Sequence, residues 1–337
     1  MAKVTVLMPT YNVAPWVEEA IQSVLGQTYG DFELLVIDDC STDDTVAVVR
    51  GIRDPRIRLV QNERNLGLAE NLNRGLSLVT TEYVARMDGD DIALPHWLER
   101  EVAVLDGCPE VGVCGGGGIR FGAVDSTIRF PEAHDDIAAN MLFHCTIIVP
   151  TFRMSLYRDR GLRYRSDAFP AEDYRFWVDA LAVTRLHNIA EPLFRYRMHE
   201  RQICTARREE QQGKVADVRR LILRRISDHI TRQDEDYFTG CFQQPIADRA
   251  DLRQRRRFVR RLLGLNREHS AFSPRTLRSR LCFHLQQTLY YTVTDRYFAD
   301  GYSPASYCRY AASGLAWRTG WHYELRFLAK SLLHRSV

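Results

Sequence analysis

Three carboxylates fall within four residues at Asp88-Gly89-Asp90-Asp91. Like charges packed this closely repel one another unless a cation sits among them. Hard carboxylate oxygens suit Mg2+ or Mn2+, which takes one or two carboxylates together with phosphate oxygens of a substrate. A second pair, Asp38-Asp39, can accept hydrogen bonds from a base N–H or from ribose hydroxyls. One member could cap the helix expected after Ser41-Thr42-Asp43-Asp44, but a cap does not need both. A third pair, Glu172-Asp173, opens a stretch that reads as helix from Tyr174 to Ala182. A carboxylate at a helix N-terminus is held rigidly, and either of the two could then serve as a general base. His199 adds an imidazole, a group that also suits a divalent metal.

Groups this far apart in sequence need a frame. Short apolar runs appear at 4–8, 33–37, 57–60, 83–87 and 111–114. Between them lie helical spacings: Val17, Ala20, Ile21, Val24 and Leu25; then Thr45, Val46, Val48 and Val49; then Leu68, Leu72 and Leu76; then Trp97, Val102 and Leu105. Strand and helix alternating in this way predict an α/β fold, a mostly parallel sheet covered by helices on both faces. Four polar clusters follow the first four runs: Pro9-Thr10-Tyr11-Asn12, Asp38-Asp39, Asn62 to Gly67, and Asp88 to Asp91. All four are expected at strand C-terminal ends, where open α/β sheets bind ligands. Gly115 to Gly118 lacks the Lys-Ser/Thr of a phosphate loop and reads as a flexible turn.

Composition bounds the alternatives. With 45% hydrophobic residues, the chain of 337 can bury a sizeable core and is not globally disordered. The net charge of +3 hides an asymmetry: residues 1–120 carry 10 Lys and Arg against 19 Asp and Glu, residues 201–337 carry 26 against 13. No two of the eight cysteines form a C-x-x-C pair, so a zinc or redox motif has no support and reduced thiols fit better. The run Val4 to Met8 is too short for a signal peptide, and no segment reaches the roughly 18–20 apolar residues that span a bilayer. A cytoplasmic protein is expected, peripheral at most on the inner face of the membrane.

In order along the chain, several stretches resemble the inverting family 2 glycosyltransferases of GT-A fold. They are Val4 to Asn12, Gln27-Thr28-Tyr29, Phe32 to Asp43, Asn65-Leu66-Gly67-Leu68-Ala69, Ala85 to Asp91, Glu172 to Trp177, and Tyr196-Arg197-Met198-His199. The resemblance covers roughly residues 3 to 200. It implies that Thr10 and Tyr11 line the nucleotide pocket, that Asp39 binds base or ribose beside Asp38, and that Arg86 lies near the donor phosphates. It further implies that Asp88 contacts ribose or the metal-linked phosphate, that Asp90 is the main metal ligand with Asp91 in support, and that His199 sits near the diphosphate or metal. Asp173 would be the general base, with Glu172 its competitor. Cys40 departs from the Gly or Ala usual there. The expected division is a GT-A domain over 1–220, with a nucleotide and metal half at 1–120 and an acceptor half at 121–220, then a helical basic region over 221–337.

The implied activity is inverting sugar transfer from a UDP- or GDP-sugar, with Mg2+ or Mn2+, to a saccharide or lipid-linked acceptor in surface polysaccharide or oligosaccharide synthesis. A sugar-phosphate nucleotidyltransferase would need a Gly-rich, Arg-containing loop after the first strand, where Pro9-Thr10-Tyr11-Asn12-Val13 stands. A catalytically inactive scaffold would lack Asp90 or Asp173. Nucleic acid is an unsuitable partner, because the acidic front would repel it and no recognition motif appears. Over Leu315 to Leu333, Trp317, Trp321, Leu325, Leu328 and Leu332 recur at helical spacing beside Arg318, Arg326 and Lys330. Such a helix either packs on its own domain or lies on an anionic membrane surface.

Overall fold

The computed structural model describes residues 2–200, 202, 206–316 and 318–333. The chain divides into two compact units, Met1–Arg219 and Arg220–Val337. In the first, the apolar runs become strands β1 (Val4–Thr10), β2 (Phe32–Asp38), β3 (Ile57–Gln61), β4 (Tyr83–Arg86) and the start of β6 (Val111–Gly122). Order β3-β2-β1-β4 is parallel throughout, with Thr10 opposite Asp38, Asp38 opposite Gln61, and Leu7 opposite Arg86. Every residue of β1 is buried, as continuous apolar character predicts for a strand covered on both faces. The helices fall where their spacings place them: α1 (Val17–Leu25), α2 (Thr45–Gly51), α3 (Leu68–Leu78) and α4 (Trp97–Gly107).

Beyond β4 the sheet is mixed and continues β8-β6-β9-β5, from β8 (Thr151–Arg153), β9 (Arg185–Met198) and β5 (Ile92–Ala93). β8 is antiparallel to β4 and β6, β9 parallel to β6, and β7 (Ser126–Ile128) pairs with β6. Three short helices lie between these strands, α5 (His134–Asn140), α6 (Ser155–Arg158) and α7 (Glu172–Ala180).

Two local expectations are corrected. Gly115 to Gly118 is no turn; it lies buried inside β6. A Cβ at Gly116 would stand 2.4 Å from Leu193 Cδ1, and one at Gly118 would stand 2.6 Å from the Phe194 ring. Glycine there lets β9 side chains lie across β6. At Gly117 the obstacles are the carbonyl oxygens of Ile128, Glu191 and Ala190 at 3.0–3.2 Å, which cannot rotate away. Gly117→Ala is therefore expected to destabilise the protein by roughly 1–3 kcal/mol, seen as a lower melting temperature. An unchanged melting curve would show that β6 can shift to make room. Neither member of the Asp38-Asp39 pair caps α2 either. Asp43 Oδ1 accepts the Thr45 N–H at 3.0 Å, while Ser41 turns back to Asp38 and Thr42 to Asn12.

The second unit is helical. It takes in the end of α8 (Arg208–Arg224), then α9 (Arg232–Thr239), α10 (Arg249–His269), α11 (Pro274–Tyr297), α12 (Pro304–Ala312) and α13 (Trp321–Leu332). Its core gathers Ile246, Leu252, Leu289, Val293, Phe298, Tyr310 and Phe327. The helix expected over Leu315 to Leu333 starts only at Trp321, because Gly320 turns the chain at φ +108°. Trp317 lies outside the described residues. No helix among the described residues is long and apolar enough to cross a membrane.

Candidate active site

The C-terminal ends of β1, β2 and β4 bring the acidic clusters to one edge. Thr10 ends β1, and its hydroxyl donates to Asp38 Oδ1 at 3.1 Å. Asp38 is fully buried, and it also accepts the Ser41 hydroxyl at 2.5 Å and the Ser41 N–H at 2.9 Å. Its carboxylate thus ties β1 and the loop after β2 together and shows no surface to a ligand. Asp39 accepts Asn62 Nδ2 at 2.6 Å and Leu66 N–H at 2.8 Å on one oxygen, and Gly67 N–H at 2.8 Å on the other. A carboxylate has about four acceptor positions, so Oδ2 keeps one unused. Tyr11 stands exposed at the rim. Cys40, the departure from the usual Gly or Ala, adopts φ +62°, a left-handed conformation that any residue with a Cβ strains.

Arg86 ends β4 and is nearly buried. It donates to Asp88 Oδ1 at 2.9 Å and pairs with Asp173 at the start of α7. Burial opposes its charge, but Asp173 and then Asp88 outweigh that and hold the guanidinium well above its ordinary value. The clamp joins the β4 loop to α7, more than 80 residues away in sequence. Burial raises the Asp88 carboxyl; Arg86 opposes the rise, and Asp90 and Asp173 add to it. Asp91 is raised well above the ordinary carboxylate range by burial, then by Asp90 and Asp88. It faces away from solvent and accepts the Arg197 N–H at 2.8 Å.

Asp90 Oδ2 lies 3.0 Å from His199 Nε2, and His199 Nδ1 is buried without a hydrogen-bond partner. Two ligands at adjacent corners of an octahedral site with bonds of about 2.1 Å lie roughly 3 Å apart. The Asp90–His199 spacing therefore fits two ligands of one divalent cation, with the raised carboxyls of Asp88 and Asp91 beside it.

Several residues that hold these groups carry no sequence signal of their own. Trp16 stacks on His199 with ring centroids 4.0 Å apart. Arg197 donates its Nε to the Asp90 carbonyl at 2.8 Å and pairs with Glu19, stitching the end of β9 to the acidic loop. Asn62 reaches both Asp39 and Asn71, and Asn71 donates to the Ile37 carbonyl at 3.0 Å. Tyr164 stacks on Phe176 of α7, with Arg86 over its ring at 5.9 Å. Only Asn62 and Arg197 fall inside stretches with a recognisable pattern, and there the neighbouring carboxylates and His199 draw the attention.

Glu172 and Asp173, adjacent in sequence, are placed differently. Asp173 pairs with Arg86 and is about one-third exposed. Glu172 is buried, with Oε2 unpartnered, and burial first, then Asp173, push its carboxyl up to about 8. A carboxyl raised in the folded state retains its proton while the unfolded chain loses its own. Its contribution is intact below the unfolded value near 4.5 and becomes a growing penalty up to about 8. Glu172→Gln is expected to remove that penalty, so its melting temperature should fall less than the parent's between pH 4.5 and 8. Parallel curves would show that Glu172 ionises freely. Burial pushes the Cys145 thiol up to about 12, which disfavours the nucleophilic thiolate.

Residues 5–166 match the family model described as glycosyl transferase family 2. An uncharacterized glycosyltransferase of Haemophilus influenzae is 34% identical over 233 residues, covering 64% of this chain and 72% of that protein. The fold is similar to S. aureus TarS 1-349 in complex with UDP-GlcNAc, with TM-score 0.60 and 19% identity over 86% of this chain and 91% of that one. It is also similar to the mannosyltransferase PcManGT from Pyrobaculum calidifontis in complex with GDP-Man and Mn2+. That match has TM-score 0.52 and 20% identity over 87% of this chain and 88% of the other. At such identities the two structures establish a shared architecture.

Proposed function

The chain belongs to glycosyl transferase family 2, and from that premise we propose that it transfers a sugar from a nucleotide-sugar donor to an acceptor hydroxyl with inversion. One observation carries the reading. Arg86 joins Asp88 to Asp173, and His199 meets Asp90, so acidic, basic and imidazole groups from three distant segments converge on one sheet edge. Thr10, Tyr11 and the free position on Asp39 would receive the nucleoside, with Asp38 holding the loop beneath. Arg86 and Asp88 would lie along the diphosphate and ribose. Asp90 and His199 would hold Mg2+ or Mn2+, with Asp91 supporting from behind. When bound, the metal supplies positive charge that stabilises the departing nucleoside diphosphate.

Asp173 would act on the acceptor side. The acceptor oxygen forms its bond to the anomeric carbon as the bond from that carbon to the phosphate oxygen breaks, and the hydroxyl proton passes to Asp173. The crowded, buried Glu172 is the poorer candidate for a base, because at neutral pH it keeps its own proton. The TarS and PcManGT complexes support UDP- and GDP-sugars as the donor classes to try. A saccharide or lipid-linked acceptor of surface-polymer synthesis completes the reading, with the enzyme in the cytoplasm or at the inner face of the membrane.

Nucleoside diphosphate release from a panel of UDP- and GDP-sugars, measured with Mn2+, tests it. Release from one donor class is expected, faster when the matching acceptor is added. No release from any donor, with or without saccharide acceptors, would overturn the proposal.

A further inference from the structure

The second unit carries more positive charge than its own carboxylates can neutralise. Residues 220–337 hold 21 Lys and Arg against 10 Asp and Glu. Several of those carboxylates are already engaged: Asp234 with Arg261, Glu235 with Arg224, Asp236 with Arg220, and Asp251 with Arg255. Of the arginines on α10, Arg255 is buried and caps the carbonyls of Phe242, Gln244 and Pro245. Arg253, Arg257 and Arg260 are exposed and Arg256 half-buried, and none has an ion pair among the described residues. Arg318, in the segment before α13, lies within electrostatic reach of Arg256. Burial first, then Arg318 and Arg260, push the Arg256 guanidinium below its ordinary value. Guanidinium groups gathered without a counter-charge form a surface that favours an anion, and their planar forks suit phosphate oxygens.

Three residues after Arg318, α13 begins with a second feature. Trp321, Leu325 and Leu332 are 71%, 50% and 64% exposed, and Leu328 is half-buried between them. Their spacing puts all four within roughly 60° around the helix axis. The stripe is not the side that holds the helix in place. Glu324, Phe327 and Ser331 form that side. Phe327 stacks on Phe298 and Tyr290, and Glu324 accepts the Thr319 hydroxyl at 2.5 Å. Single exposed apolar residues are ordinary, but a Trp and three Leu in one line along a helix are a surface with a use. The helix has 12 residues, too few to cross a bilayer but enough to lie in its plane.

We propose that the stripe Trp321-Leu325-Leu328-Leu332, with Arg256, Arg260 and Arg318, docks the protein on an anionic phospholipid bilayer. The apolar side chains enter the boundary between headgroups and acyl chains, and the guanidinium groups take up lipid phosphates. A second copy of the chain is a poorer occupant, because facing surfaces would bring the same unneutralised charge together. The inference stands on the second unit alone and does not depend on the transfer reaction.

Co-sedimentation of the full chain with phosphatidylcholine vesicles, with and without phosphatidylglycerol, tests it. Binding is expected only with phosphatidylglycerol, strong at low salt and lost at high salt. The combined variant Arg256→Gln, Arg260→Gln, Arg318→Gln should bind on the order of 100-fold more weakly. Trp321→Ser with Leu325→Ser should weaken binding by about 10-fold or more. Both variants should keep the parental melting temperature, since the altered groups support nothing in the core. No sedimentation with phosphatidylglycerol at low salt would overturn the proposal, as would equal binding to both vesicles. So would a dimer in solution that Leu325→Ser dissociates, which would assign the stripe to a second copy.

Discussion

Asp173→Asn is expected to lower turnover by roughly 10²–10⁴-fold, the usual worth of a positioned general base, while donor binding survives. The substitution keeps the size and shape of the side chain and removes its ability to take a proton. Asp173 is about one-third exposed and opens α7, so the amide can be accommodated without disturbing the buried Phe176 and Trp177 of that helix. Arg86 loses one partner and keeps Asp88. The check is kcat beside the donor KM, with Glu172→Gln as the companion. Near-parental turnover in Asp173→Asn with a large loss in Glu172→Gln would move the base to Glu172. Losses of equal size in both would mean that the α7 N-terminus acts only as structure.

Asp90→Asn should abolish the response of the reaction to Mn2+ while leaving the fold intact. The carboxylate is the part of Asp90 that meets His199, whereas its backbone carbonyl receives Arg197 Nε. Removing the charge therefore spares the link between β9 and the acidic loop. Loss of supporting residues around a metal typically weakens it 10–100-fold, and loss of a direct ligand should be at least on the order of 100-fold. Asp91→Asn is the internal contrast. Its carboxyl is buried against the Arg197 N–H, an acceptor role that an amide oxygen can still fill, so a smaller change in metal response is expected. The readout is activity against Mn2+ concentration for both variants. An Asp90→Asn curve that overlays the parent would remove Asp90 from the metal assignment.

The legibility of these features followed from their physical setting. Strands β1, β2 and β4 are buried on both faces and so appear as nearly unbroken apolar runs, while β3, at the sheet edge, is only partly buried and carries Arg58; the polar residues that stop each run mark the ligand edge. β9 was hidden because most of its 14 residues are exposed or half-exposed and they include Glu191 and Pro192. The glycines of β6 misled for a related reason: their role is to leave space for Leu193 and Phe194, and nothing in the glycines themselves records what fills it. Carboxylate clusters announced themselves by charge density. Arg86 stood out only through the family resemblance, being one residue in a buried strand until α7 brings Asp173 beside it. Trp16 was silent too, because the stack on His199 joins positions 183 residues apart that no local periodicity connects. On α13 the apolar stripe was visible as helical spacing, but the start of the helix was set by Gly320, whose conformation the spacing could not reveal.

Isothermal titration of UDP and of GDP into the parent protein, with Mn2+ and with a chelator, tests most directly that this sheet edge is a metal-assisted nucleotide-sugar site. One nucleotide is expected to bind once per chain in Mn2+ and at least about tenfold more weakly without it. Binding of that nucleotide with the same affinity in the chelator, or binding of neither nucleotide in Mn2+, would contradict the account.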